Sequence, residues 1–148
     1  MSGAVNTCKR TVGQLIEIRV DAGYRTPEDV DAMAAMIAAE VNALRSDARI
    51  IIAADWRRCT VFGPGTADRA VAMFLRANPR TLRSSILMDP GSPTAVMQLT
   101  RIISEAKFAD RRLFTSPNEQ IAWLGEIMTP EESARLRSFL DRRDGASK

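Results

Sequence analysis

Residues 50–54 read Ile-Ile-Ile-Ala-Ala, an unbroken apolar run with Arg49 before it and Asp55 after it. A strand sends successive side chains to opposite faces, so an extended run with no polar face needs cover on both sides. This predicts a central strand in a sheet held between two layers, the arrangement of α/β domains. A chain of 148 residues suits one such domain, since that length buries roughly 70% of the surface exposed by the unfolded chain.

The flanking patterns agree. From Gln14 to Val20 the apolar residues Ile16, Ile18 and Val20 alternate with Glu17 and Arg19, which is the period of a strand. Further strands are predicted at Arg83–Met88 and Arg111–Thr115, with Thr7–Thr11 as an antiparallel hairpin partner of the first strand around Gly13. Four helices open on a hydroxyl residue followed by proline, at Thr26-Pro27, Ser92-Pro93, Ser116-Pro117 and Thr129-Pro130. The hydroxyl caps free amides, and proline occupies the first helical position, where it has no hydrogen bond to lose. Thr129-Pro130-Glu131-Glu132 and Ser116-Pro117-Asn118-Glu119 also carry the reciprocal capping-box pattern.

Val30, Met33, Ile37, Val41 and Leu44 form one apolar stripe, as do Val96, Leu99, Ile103 and Ala106. The order of elements predicts an α/β domain over residues 1–143. Its small, mixed, mainly parallel sheet has four to five strands, right-handed crossovers and flanking helices. An extra C-terminal helix over Thr129–Arg143, with Leu136, Phe139 and Leu140 on one side, suits packing on the domain or on a partner. The tail 144–148 is expected to fray.

Composition narrows the chemistry. There is no histidine, which removes Ser–His and Cys–His nucleophile pairs and the commonest zinc ligand. The two cysteines, Cys8 and Cys59, lack metal-ligand spacing and read as free thiols of a reducing compartment. Met1–Asn6 has neither the basic start nor the apolar core of a secretion signal, and no apolar run approaches a membrane span, so a cytoplasmic location is expected. The charge of +3 comes from 21 basic and 18 acidic residues that are well mixed, and only 5% of residues are aromatic. That balance does not favour nucleic acid. Arg69, Arg76, Arg80 and Arg83 fit a solvated face as well as a patch for an anionic partner.

Open α/β sheets bind ligands beyond the carboxyl ends of their strands. Asp21, Asp55 and Asp89 stand there, and three converging carboxylates could hold magnesium for phosphate chemistry; aspartate is also favoured at strand exits for its bonds to nearby amides. No phospho-receiver pattern of paired acids and a late lysine is present. The loop from Trp56 to Gly65 carries Arg57, Arg58, Cys59, Val61 and Phe62, then Gly63-Pro64-Gly65, which lacks the spacing and the Lys-Ser/Thr ending of a phosphate loop. Either the two arginines bind an anion at the helix start, or Trp56 and Phe62 pin the loop while the arginines face water. Thr66 is placed to cap the next helix, followed by Asp68 and Arg69. Arg57 and Arg58 would lower the pKa of Cys59 if it were exposed, but without a histidine base a packed thiol is the simpler reading.

The strand Leu15–Val20, the helix start Thr26-Pro27-Glu28-Asp29, the strand Ile50–Ala54 ending in Asp55, and the closing Ala122-Trp123-Leu124 together resemble the SpoIIAA-like relatives of the STAS domain, the fold of bacterial anti-sigma factor antagonists. The resemblance covers about Gln14 to Ile127. It implies regulatory protein binding without enzyme chemistry, no cofactor, and a bacterial regulatory module as the setting. In that family the switch is a serine at the start of the helix after the central strand. The nearest position here is Thr66, in a longer loop with altered glycine placement, which makes it the candidate phosphoacceptor. The implied partner- or anion-binding surface comprises Asp55, Trp56, Arg57, Arg58, Thr66 and Arg69. The expected partner is another protein; a small ligand or lipid at the same edge, and homodimerisation, stay open. Thr66→Glu is expected to weaken association and spare the thermal midpoint. The alternative is a small-ligand or divalent-metal protein acting through Asp21, Asp55 and Asp89.

Overall fold

The computed structural model describes residues 4–59 and 62–141. Among these the strands are β1 (Asn6–Val12), β2 (Leu15–Val20), β3 (Ile50–Asp55), β4 (Thr81–Leu87) and β5 (Arg111–Phe114). The helices are α1 (Pro27–Asn42), α2 (Thr66–Ala77), α3 (Pro93–Glu105), α4 (Pro117–Gly125) and α5 (Pro130–Leu140). The expected mixed α/β sheet is present. β1 and β2 form the antiparallel hairpin, and β2, β3, β4 and β5 run parallel in the order β1-β2-β3-β4-β5. Val61 and the tail 144–148 lie outside the described residues.

Because the strand order follows the chain, crossovers of one hand place α1, α2 and α3 on the same face of the sheet. Their core joins Ile16, Ile18, Ile52, Ala54 and Ile86 of the strands to Met33, Ile37, Met73, Phe74, Leu99 and Ile102 of the helices. The other face carries Leu15, Ile51, Ala53 and Leu87 against Ile121 and Leu124 of α4 and Leu136, Phe139 and Leu140 of α5. Every residue of β3 is buried, as its uninterrupted apolar run requires.

The helix starts follow the sequence with three differences. At Thr129 the box is complete: Thr129 Oγ1 accepts from the Glu132 amide at 3.1 Å, and Glu132 Oε1 accepts from the Thr129 amide at 2.9 Å. Ser116 Oγ accepts from the Glu119 amide at 3.3 Å, without the reciprocal bond. Ser92 makes no side-chain cap. Residue 66 is not a cap at all, because Gly65 occupies that position with φ of 80°, a left-handed conformation natural to glycine.

α5 packs on its own domain, which settles where the last amphipathic helix goes. Its attachments are polar as well as apolar. Glu17, one of the charged residues that alternate with the apolar ones in β2, is 4% exposed beneath α5. Its carboxylate accepts from Arg135 Nη2 at 2.9 Å and from the Thr11 hydroxyl at 3.0 Å. Glu132 Oε2 accepts from the Gln14 amide at 2.7 Å, and the Phe139 carbonyl accepts from the Arg19 guanidinium. Leu136 is wholly buried in this layer. Leu136→Ala is expected to lower the unfolding free energy by about 2–5 kcal/mol in urea denaturation; a change near zero would mean that α5 does not contribute to the fold.

Candidate functional site

The carboxyl edge of the sheet is where the sequence located its site, and the structure divides those residues into interior and surface. Asp55 is completely buried. Its Oδ1 accepts from the Arg57 amide at 3.1 Å and from Arg57 Nε at 2.9 Å, while Oδ2 accepts from Arg57 Nη2 at 2.9 Å. The same Nη2 donates to the Leu140 carbonyl at 2.8 Å. A planar guanidinium held in this two-pronged way is positioned and neutralised. Asp55 and Arg57 therefore act as an internal clasp between β3 and the end of α5, not as a contact surface.

Trp56 is a correction too. At 2% exposure it belongs to the core, edge-on to Tyr24 with ring centroids 5.3 Å apart and tilted against Phe62 at 6.1 Å and Phe74 at 6.4 Å. The aromatic pinning of the loop is thus its actual role. Cys59 is buried behind it. Arg58 is exposed. Arg69 is bound sideways to Asp31 of α1, which raises the pKa of its guanidinium through that hydrogen bond and charge.

Thr66 is fully buried and its hydroxyl donates to the Gly63 carbonyl at 2.8 Å. Adding a phosphate there requires the 63–66 turn to open. The Gly-Pro-Gly segment explains itself by the same turn. The Gly63 amide donates to the Tyr24 carbonyl at 2.8 Å, and a Cβ on Gly63 would stand 1.7 Å from the Arg25 carbonyl oxygen. Glycine is required because two backbones touch. The expectation that Thr66→Glu spares the thermal midpoint therefore fails on burial: a charge placed without a partner in this turn is destabilising. Gly63→Ala and Thr66→Glu are each expected to cost at least about 2 kcal/mol, read as a drop in thermal midpoint; unchanged midpoints would show the turn to be loosely packed.

The three aspartates do not assemble. Asp55 is turned into its clasp, and exposed Asp89 accepts from the Gly91 amide at 3.0 Å within its own loop. Among the described residues no group of three or more His, Cys, Asp or Glu could hold a metal ion. The arginines do not form one patch either. Arg80 donates to the Ala48 and Arg45 carbonyls, whereas Arg83 reaches Glu126 at 2.8 Å and lies over the Trp123 ring on the α4 side.

What is open at this edge is a cleft of about 300 Å³ between the start of α2 and α3, lined by Phe62, Gly65, Asp68, Gln98 and Ile102 among others. Arg101 and Glu105 on its α3 wall pair with each other at 2.9 Å. Asp68 sits in the first turn of α2, where it opposes the positive end of the helix dipole and makes the cleft poor for a further anion. The cleft continues over the outer face of α3, past Val96 and Met97. Met97 is 73% exposed. The contribution of α3 had no signal in its own residues; it comes from the sequential strand order, which sets α3 beside α2. Tyr24 was also missed, although a bulky aromatic just after a strand and before a helix cap is a core signal.

The Cys8 thiol is not activated. Burial, and next the nearby charge of Glu40, push the Cys8 thiol up to about 12. A thiol whose pKa is higher folded than unfolded stays protonated up to the folded value, so this stability term is full below about pH 9 and falls between pH 9 and 12. Native protein at pH 8 is expected to react with iodoacetamide at both cysteines many times more slowly than urea-unfolded protein; equal rates would overturn the burial assignment.

Comparison of the chain with protein-family models, with curated proteins and with solved structures returns no match.

Proposed function

We propose that this protein is a regulatory interaction module, without enzyme chemistry of its own, that docks a partner protein at the cleft between α2 and α3. The observation that carries the reading is the cleft itself. It stands at the carboxyl edge of the parallel strands, where α/β sheets present their ligands. Half-buried Phe62 lines it, its α3 wall runs on to an exposed methionine, and the charged pair on that wall is self-compensated. Exposed apolar surface with a polar rim is the composition of a protein contact.

The resemblance to the SpoIIAA-like and STAS proteins supports the same reading. By that resemblance the loop before α2 and the helix that follows it would carry the partner contact. The contact residues differ from those the sequence suggested. Gln98, Met97, Asp68 and Ala67 face outward, whereas Asp55, Trp56 and Thr66 are interior.

A photo-crosslinking amino acid at position 98, expressed in cells, is expected to yield one discrete protein adduct that disappears with Ala67→Arg. The same probe at exposed Arg49, which precedes β3 at the other end of the strands, serves as the control. Identical adduct patterns from both positions, or adducts insensitive to Ala67→Arg, would refute the docking surface.

A further inference from the structure

A second feature lies away from that cleft and is independent of the docking reading. Arg111 opens β5 beside Ser84 of β4 and is 3% exposed. It forms no ion pair with any described residue. Its guanidinium lies over the rings of Phe74 at 4.3 Å and Phe108 at 5.2 Å. One nitrogen, Nη2, donates to the Phe74 carbonyl at 3.5 Å, and Nε and Nη1 have no hydrogen-bond partner. Burial alone lowers its pKa to about 10. A buried cation with two idle donors and no counter-charge costs several kcal/mol unless something answers it.

The surroundings indicate what could. Arg111 lines a narrow internal cavity of about 20 Å³, whose wall includes Ile37, Met73 and Ala77. Those three residues also wall a groove of about 270 Å³ that opens to solvent between α1 and α2. The groove is lined mainly by aliphatic side chains, with Arg76 and Arg80 at its rim. It lies near the small end of ligand sites, roughly 300–1,000 Å³. The inner cavity has room for about one water-sized group, so a carboxylate reaches Arg111 only as the wall side chains move aside, and a phosphorylated or sugar head is rejected. Met73, an unbranched side chain at the junction, is the kind of residue that yields to a ligand.

We propose that the groove between α1 and α2 binds a medium-chain aliphatic monocarboxylate, with the chain along Ile37, Val41 and Met73 and the carboxylate at the buried guanidinium of Arg111. The carboxylate supplies the charge that Arg111 lacks and an acceptor for its idle donors. The chain covers the apolar groove. An alcohol of the same length fills the groove but leaves the guanidinium unanswered.

The test is calorimetric titration of the full chain with decanoate, decanol and acetate. Saturable one-to-one binding of decanoate is expected, about tenfold or more tighter than decanol or acetate. Arg111→Met should remove that preference for the acid, and Arg76→Ala should leave it. Because Arg111→Met also removes ring contacts, Ala38→Trp provides a second variant: it fills the groove from its exposed wall and should abolish decanoate binding with the thermal midpoint unchanged. No saturable binding of decanoate, equal affinity for decanoate and decanol, loss with Arg76→Ala but not Arg111→Met, or indifference to Ala38→Trp would each overturn the site. The first of these would leave ordered water as the partner of Arg111. None bears on the α2–α3 cleft, which is read by crosslinking.

Discussion

β3 has no solvent side, and the rest of the molecule is arranged around that constraint. Its isoleucines and alanines point alternately into two cores, so each face must be covered by helices. α1, α2 and α3 take one face, and α4 and α5 the other. At the end of the strand the buried carboxylate of Asp55 would be an expensive charge if left alone. Arg57 answers it and carries the same hydrogen-bond system on to the Leu140 carbonyl. The central strand and the last helix are thereby joined by a polar clasp as well as by apolar contact.

That clasp decides what the adjoining loop can do. With Arg57 committed to Asp55 and Trp56 inserted among Tyr24, Phe62 and Phe74, the β3–α2 connection is a packed structural segment. Its left-handed Gly65 and its contact at Gly63 set the start of α2 against the end of β2. Near this edge the packing leaves Ala67 and Asp68 of α2 and Met97 and Gln98 of α3 exposed. On the inner side of the same layer, Arg111, Tyr24 and Trp56 each hold a buried donor without a hydrogen-bond partner. The helical layer therefore has a cleft with charged residues at its rim on one flank and a mainly aliphatic groove on the other.

The architecture was legible in the chain because its signals were local. Alternation at Ile16, Ile18 and Val20, the run at 50–54 and the Thr-Pro and Ser-Pro helix starts each report on a few residues, and the observed elements begin close to them. The site was less legible because side-chain fate depends on what arrives from far along the sequence. The alternation at Glu17 and Arg19 reports a strand but not that α5 covers their side of it. Trp56 and the two arginines look like an exposed cluster until Asp55 claims one and Tyr24 the other ring. Thr66 has the composition of a cap, but the positive φ of Gly65 shifts the cap back by one residue and turns the hydroxyl inward. Arg111 gave no warning, since an arginine at the start of a short strand is ordinarily solvated.

The strand order also has a consequence in time. β2, β3, β4 and β5 join the sheet in the order in which they are made, each pairing with its predecessor, so the first core can grow as the chain emerges. The second core cannot. Glu132 and Arg135 find Gln14 and Glu17 across 118 positions of chain, and until 130–140 have left the ribosome the Leu15, Ile51 and Ala53 face of the sheet stands uncovered. During synthesis this protein presents an oily half-sheet whose cover arrives last, and that interval is when a chaperone or a neighbouring nascent chain would find it.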